Sequence, residues 1–391
     1  MSMNETPAGA RVHIGIFGRR NAGKSSLINA LTGQQLAVVS ETPGTTTDPV
    51  AKAMELLPLG PVVLIDTPGM DDEGCLGALR VRKAQEVLRR TELAVLAVDC
   101  SLGKGAYEEE MENGFRQRGI PFLTVFTHSD KVAEKDRAPG LWVSAVTGEN
   151  IRELKESIAR LKTPEVSRPL VSDLAAPGDT VVLVVPVDSA APKGRLILPQ
   201  QQVIRDLLDH GIAALVTSVE GLAGTLQNLR TPAKLVITDS QAFWRVARTV
   251  PEELPMTSFS ILFARFKGDL DQAVEGARVL KDLKAGDRVL ISEGCTHHRQ
   301  CEDIGSVKIP RWIREFTGAD VGVEFSSGLT FPEDLTPFRL VIHCGGCTLN
   351  PAEMRYRLKL AAEQGVPMTN YGIAIACMHG ILDRAVRPLG L

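Results

Sequence analysis

The chain has 391 residues, of which 44% are hydrophobic, 23% charged and 5% aromatic, with a net charge of −3. That length allows two to four domains, three being the central expectation, and the composition excludes extensive disorder. The near-neutral charge offers no global attraction to nucleic acid, no run approaches the ~18 apolar residues of a membrane span, and Met1 to Ala10 lacks an apolar core or cleavage-like site, so a cytoplasmic protein with neither membrane nor nucleic acid as partner is expected.

The first element, Val12-His-Ile-Gly-Ile-Phe17, is an apolar strand that runs into Gly18-Arg-Arg-Asn21-Ala22-Gly23-Lys24-Ser25, followed by the helical pattern Ser26-Leu-Ile-Asn-Ala-Leu31. A GxxxxGKS loop between strand and helix is a phosphate cradle. Its glycines let backbone amides turn inward, the helix N-terminus adds positive potential, Lys24 reaches the β and γ phosphates, and Ser25 can ligate Mg²⁺. Gly18, Asn21, Ala22, Gly23, Lys24, Ser25 and Ser26 are therefore the expected nucleotide contacts.

Downstream motifs complete such a site in order. Pro43-Gly-Thr-Thr46-Thr-Asp48 supplies a first switch with Thr46, and the strand Val62 to Ile65 ends in Asp66-Thr-Pro-Gly69. Ser25, Thr46 and Asp66 are the expected Mg²⁺ set, Asp66 through water, and the Gly69 amide senses the γ-phosphate. Lys24, Thr46, Asp66 and Gly69 are the expected catalytic residues. Strands at Leu93 to Val98 and Pro121 to Phe126 lead to Thr127-His128-Ser129-Asp130 and then to Ser144-Ala145-Val-Thr-Gly148-Glu-Asn150, the base-reading loops. On these motifs residues 11 to about 162 resemble translation-factor-type GTPases of the Era and MnmE kind. One motif departs from them: the resembling proteins read guanine with Asn-Lys-x-Asp, and here Thr127 and His128 replace Asn and Lys. Guanine preference is expected to persist through Asp130 with weaker affinity. Met70 stands where several signalling GTPases carry a water-orienting Gln, and the resemblance implies K⁺ held by Asn21 as a stand-in for an arginine finger.

Thr163 to Gly178 is Pro- and Ala-rich and reads as a boundary. Beyond it Asp179 to Val187 reads as a strand, Gln201 to His210 as a helix, and Leu235 to Ile237 and Phe259 to Phe263 as further strands, a small α/β domain suited to structure or oligomerisation. Asp188, at a strand end beside a turn, is its one notable polar residue.

The last segment holds five of the seven cysteines. A strand from Ala285 to Gly294 ends at Cys295-Thr-His297, and another from Phe338 to Ile342 ends at His343-Cys344-Gly-Gly-Cys347. In an open α/β sheet ligands gather at the carboxyl ends of strands, so the two motifs can converge. An odd count with CxxC spacing favours metal or redox chemistry over disulfides. Three thiolates suit a 4Fe-4S cluster with one iron left for another ligand, whereas zinc prefers a closed Cys₃His set; Cys301, His297, His298 and His343 are all near enough in sequence to add a ligand. Cys75, Cys100 and Cys377 read as packing residues.

The CxH and, 45 residues on, HCxxC, behind an amino-terminal GTPase, resemble the FeFe-hydrogenase maturation GTPases of the HydF family over essentially the whole chain. The resemblance implies Cys295, Cys344 and Cys347 as cluster ligands, His297 and His343 as accessory positions, Asp188 as a labile fourth ligand, and a middle dimerisation domain. It implies an α/β architecture with a P-loop GTPase domain at 1–165, a dimerisation domain at 170–266 and a cluster domain at 267–391. It further implies a homodimeric scaffold that receives a diiron precursor from radical-SAM maturases and delivers it to apo FeFe-hydrogenase. The alternatives are a zinc-containing GTPase assisting RNA or ribosome assembly, for which the charge is unsuited, and a redox enzyme with a four-cysteine site closed by Cys301.

Overall fold

The computed structural model describes residues 9, 11–33, 50–68, 75–133, 137, 139–161, 169–186, 196–294 and 303–391, without the side chains of 75–82. Thr46, Gly69, Met70, Asp188, Cys295, His297, His298 and Cys301 lie outside the described residues. The chain divides into two compact units, Met1–Glu165 and Val166–Leu391.

The first unit is a six-stranded sheet: β1 (Val12–Phe17), β2 (Ala51–Leu56), β3 (Gly60–Asp66), β4 (Leu93–Asp99), β5 (Phe122–Thr127) and β6 (Leu141–Trp142). Their spatial order is β2-β3-β1-β4-β5-β6, with β2 antiparallel to β3 and the other neighbours parallel. Central strands of a parallel sheet are covered on both faces, which is why β4 reads Leu-Ala-Val-Leu-Ala-Val without alternation and is buried throughout those six residues. Helices Lys24–Thr32 and Ile151–Arg160 cover one face through Leu27, Ile28, Leu31, Leu154 and Ile158, and Phe115 of helix Ala106–Gln117 packs at a tilt against Phe17 on the other.

The second unit contains two four-stranded parallel sheets. The first orders as β10-β9-β7-β8, from β7 (Thr180–Val184), β8 (Ala213–Thr217), β9 (Leu235–Thr238) and β10 (Met256–Ser258). The other orders as β12-β11-β13-β14, from β11 (Arg288–Glu293), β12 (Gly322–Ser327), β13 (Leu340–His343) and β14 (Met368–Asn370). A single apolar core joins them, running from Val182 and Val236 through Ile261, Val274 and Ile291 to Ile373.

Phe259–Lys267 is a helix, not the strand its apolar run led us to expect. The run is buried on several faces, so periodicity cannot separate the two states; the deciding feature is Ser258, whose hydroxyl caps the helix by accepting from the Ile261 amide at 3.3 Å. Part of the expected linker is also packed: Leu170 and Val171 are buried, and the buried Arg265 grips Asp173 at 2.6 Å and the Pro169 carbonyl at 2.8 Å.

In all three sheets the first strand in sequence is interior, between a neighbour on each side: β1 between β3 and β4, β7 between β9 and β8, β11 between β12 and β13. Each therefore borders a point where the strand order reverses, the position at which α/β sheets bind ligands outside their carboxyl ends. The segments following those strands are the P-loop, the stretch containing Asp188, and the stretch opening on Cys295.

Candidate functional site

The phosphate loop is built by backbone conformation. Asn21 and Gly23 sit in the left-handed region at φ 61° and 77°, a conformation that Asn tolerates better than most side chains, and Gly23 precedes helix Lys24–Thr32 without a side-chain cap on its first amides. Those amides and the helix dipole form an anion site. Lys24 is buried, its Nζ donating to the Gly18 and Arg19 carbonyls at 2.9 and 2.7 Å, so its charge already lies inside the loop. The Ser25 hydroxyl donates to Asp66 Oδ2 across from the end of β3. Asp66 is buried, and its Oδ1 meets no hydrogen-bond partner among the described residues. Burial pushes this carboxyl above its usual range, against the Ser25 hydrogen bond and the charges of Lys24 and Lys52. A buried carboxylate with a free oxygen beside a serine hydroxyl fits Mg²⁺; Ser25 and Asp66 would hold the ion, which supplies charge neutralisation of the phosphates.

The base-reading loops explain how the chain manages with Thr127 and His128. The Thr127 hydroxyl lies 2.9 Å from the Ala22 carbonyl and 3.0 Å from that of Val98, tying the P-loop to the ends of β4 and β5. His128, at φ 58°, turns its ring over the P-loop: a Cβ on Gly23 would sit 3.2 Å from its Nε2, and Asp99 Oδ2 stands 3.3 Å from its Nδ1. Asp130 is gripped by Ser144, whose Oγ donates to its Oδ1 at 2.5 Å and accepts from the Val146 and Thr147 amides. That hydrogen bond holds the Asp130 carboxyl below its usual range. Behind it, Ser129 and Arg137 both bind Glu149 at 2.6 Å. The arrangement leaves an ionised Asp130 free to accept from a base edge while Ser144, followed by Ala145, fixes its direction. Cys100 donates its thiol to the His128 carbonyl at 3.1 Å, a packing role.

In the second unit β11 and β13 are adjacent and parallel, Ser292 opposite His343, so the two cysteine motifs begin at neighbouring carboxyl ends. The Gly294 amide donates to Cys344 Sγ at 3.0 Å, the Gly346 amide reaches the same sulfur at 3.4 Å, and the Thr348 hydroxyl ties back to the Gly294 carbonyl at 2.9 Å. Burial pushes the Cys344 thiol up while these two amides pull it down. Amides converging on a half-buried sulfur are the environment of a cluster thiolate, and Cys344 fits that use, with the half-buried Cys347 three residues on in the same loop and Cys295 next after Gly294 in the chain. Among the described residues no three His, Cys, Asp or Glu side chains gather as a metal site.

His343 is fully buried and both its ring nitrogens are engaged. Arg357 Nη1 donates to Nε2 at 2.9 Å, which leaves the proton on Nδ1, 2.7 Å from the Cys344 carbonyl. Burial and the Arg357 guanidinium lower its pKa to about 3, so the ring is neutral and orients the cysteine loop through the backbone. Arg357, itself fully buried, also binds Glu353 at 2.8 Å and the Gly328 carbonyl at 2.9 Å. On the other side Lys267 donates to the Gly346 and Leu349 carbonyls at 3.0 and 2.9 Å. Neither cation belongs to a sequence motif; the available sign was a basic residue embedded in an otherwise buried helix face. Cys377 is buried in helix Tyr371–Met378, as its apolar surroundings predicted.

Residues 13–128 match the 50S ribosome-binding GTPase family, 170–268 the hydrogen maturase F dimerization domain, and 271–388 the hydrogen maturase F tetramerization domain. The last name attaches association between copies to a segment where the sequence pointed to metal chemistry alone. Among curated relatives, GTPase Der of Kosmotoga olearia is 31% identical over 37% of this chain and 37% of its own length. The tRNA modification GTPase MnmE of Methylorubrum populi is 37% identical over 37% of this chain and 30% of its own. The chain thus spans about a third of the length of these relatives. Era of Aquifex aeolicus bound to GDP·AlF4⁻ is 19% identical, covering 53% of this chain and 92% of that one at a TM-score of 0.35. The GTPase match followed by the two maturase-specific matches, in that order along the sequence, makes the chain a member of the hydrogen maturase F family with an Era- and MnmE-type GTPase domain.

Proposed function

We propose that the chain is a GTP-hydrolysing scaffold that holds a 4Fe-4S cluster on Cys295, Cys344 and Cys347, takes up a diiron precursor as cargo from radical-SAM maturases, and delivers it to apo FeFe-hydrogenase. The observation that carries this reading is the Gly294 amide 3.0 Å from Cys344 Sγ, which joins the starts of two cysteine motifs 50 residues apart at one sheet end. Three thiolates leave one iron open to exchange, which a carrier needs and a closed structural site does not have. The cluster would supply that exchangeable iron, with Asp188 as a labile fourth ligand and His297 and His343 in supporting places.

In the nucleotide site Lys24 neutralises the β and γ phosphates, the loop amides hold them in line, Ser25, Thr46 and Asp66 hold Mg²⁺, and the Gly69 amide registers the γ-phosphate. Met70 stands where several signalling GTPases carry the water-orienting glutamine, and Asn21 would hold a K⁺ whose charge would stand in for an arginine finger; equal hydrolysis rates in KCl and NaCl would remove that ion from the scheme. Thr127 and His128 keep the loop assembled but offer the base fewer hydrogen bonds, so GTP binds through Asp130 more weakly than with a complete motif. Nucleotide state orders or releases the switches at Thr46 and Gly69, and thereby controls partner contacts of a cytoplasmic homodimer.

The test is transfer. Anaerobically loaded chain is mixed with apo FeFe-hydrogenase and hydrogen evolution is followed: activity is expected with the native chain and lost with Cys344→Ala. Equal activation by the two would end the carrier reading, and metal analysis returning zinc in place of iron would turn it toward a structural metal site.

A further inference from the structure

Lys267 is the last residue of helix Phe259–Lys267 and is 4% exposed. Burying an ammonium is costly unless dipoles or charge compensate it. Its Nζ lies over the Phe263 ring, 5.4 Å from the centroid, and donates to two carbonyls of the cysteine loop, Gly346 at 3.0 Å and Leu349 at 2.9 Å. Those two residues also close a turn on each other, the Leu349 amide donating to the Gly346 carbonyl at 3.1 Å. Gly346 has φ 60°, in the left-handed region that favours glycine, and a Cβ there would meet Met354 Sδ at 2.9 Å. Because a trans peptide points its C=O and N–H in opposite directions, fixing the Gly346 carbonyl on Lys267 aims the Cys347 amide away from the ammonium. Lys267 and Cys344 line the same cavity of about 30 Å³, with His343 and Gly345.

We propose that Lys267 is the positioning residue and buried counter-charge of the cysteine loop, a cation supplied by the segment of the dimerization family to the metal site of the next. This rests on the reading of Cys344 and Cys347 as cluster ligands. Two consequences follow from the geometry. The carbonyl clamp keeps Cys344 and Cys347 presented by a single loop conformation. The charge, held in a medium of low dielectric, favours the more negative, reduced state of any cluster bound there and so raises its potential.

The experiment uses the full chain, reconstituted anaerobically with iron and sulfide, as native protein and as Lys267→Gln, Lys267→Met and Lys267→Arg. Iron and sulfide are counted, and the midpoint potential is read by titration followed by EPR. Gln keeps a carbonyl-directed donor without the charge and guards against misfolding of the Met variant. The expected result is a potential more negative than native in Lys267→Gln, reduced iron content in Lys267→Met, and recovery of both toward native values in Lys267→Arg. Native potential in Lys267→Gln together with native iron content in Lys267→Met would overturn the proposal while leaving the cluster reading intact. Iron content unchanged in a Cys344→Ala, Cys347→Ala double variant would instead overturn the cluster reading, and this proposal with it.

Discussion

The nucleotide site and the cysteine site sit at comparable places, each at the carboxyl end of an interior strand, β1 for the P-loop and β13 for Cys344, yet they are assembled differently. The P-loop is local: Gly18 to Ser25 form the cradle by their own backbone angles, and Lys24 is held by carbonyls five and six residues away. The cysteine site depends on sheet register, on an amide 50 residues from its sulfur, and on two buried cations from helices that belong to no motif. A local site loses less when its surroundings change than when its own residues change. A site made by register fails when distant supports are removed, even with every cysteine in place.

The strongest way to sharpen that contrast is Lys24→Ala, expected to lower GTP turnover on the order of 10²- to 10³-fold by removing the charge opposite the transferred phosphate, while anaerobic iron content stays at the native value. A parallel loss of iron would mean that the sites are not separable in this way. Arg357→Met probes the other side. It leaves Glu353 buried without its guanidinium and His343 without a donor, and should cost about 3–5 kcal/mol in the urea transition that reports the second unit, with GTP turnover unchanged. A transition at the native urea concentration would show that the cysteine loop does not lean on this network.

These outcomes bear on how much could be read from the chain. The strand, loop and helix of the P-loop, and the Asp66 and Asp130 motifs, were legible because each is a short run whose residue types have one physical use together. The two cysteine motifs were legible as strand ends, and their adjacency follows from β11 pairing with β13. What pattern reading could not supply was the support. His343 read as an accessory to the metal site and is found with both ring nitrogens bound to protein. The run from Phe259 to Phe263 read as a strand because a helix buried on several faces loses its period, and Lys267, four residues beyond that run at the end of the actual helix, went unremarked. The substitution of Thr127 for Asn read only as a loss; its hydroxyl keeps the tie to Ala22.

Smaller effects refine the nucleotide side. Thr127→Ala removes a buried hydroxyl facing two carbonyls and should weaken GTP binding about 10-fold, on ~1–3 kcal/mol for acceptors left unsatisfied; binding at native affinity would mean that the P-loop holds its shape without this tie. Ser144→Ala is milder and depends on pH. Asp130 has its pKa depressed chiefly by the Ser144 hydroxyl, so its charged form, and guanine binding with it, is present above the usual carboxylate range and lost as pH falls through the lowered value. Removing the hydroxyl raises that value, and the acid limb of GTP affinity should move to higher pH with little change at neutral pH. An unmoved limb would assign the limb to another group.

The central claim is that one chain carries a nucleotide site and a separate three-thiolate cluster site. It is tested most directly by counting iron and sulfide in the anaerobically reconstituted chain and in the single variants Cys295→Ala, Cys344→Ala, Cys347→Ala and Cys301→Ala, with GTP turnover measured on the same samples. The account predicts about four iron and four sulfide per native chain, the composition of a 4Fe-4S cluster, large losses in the first three variants, retention in Cys301→Ala, and native GTP turnover in all four. Retention of iron in the first three variants, or its loss in Cys301→Ala, would contradict it.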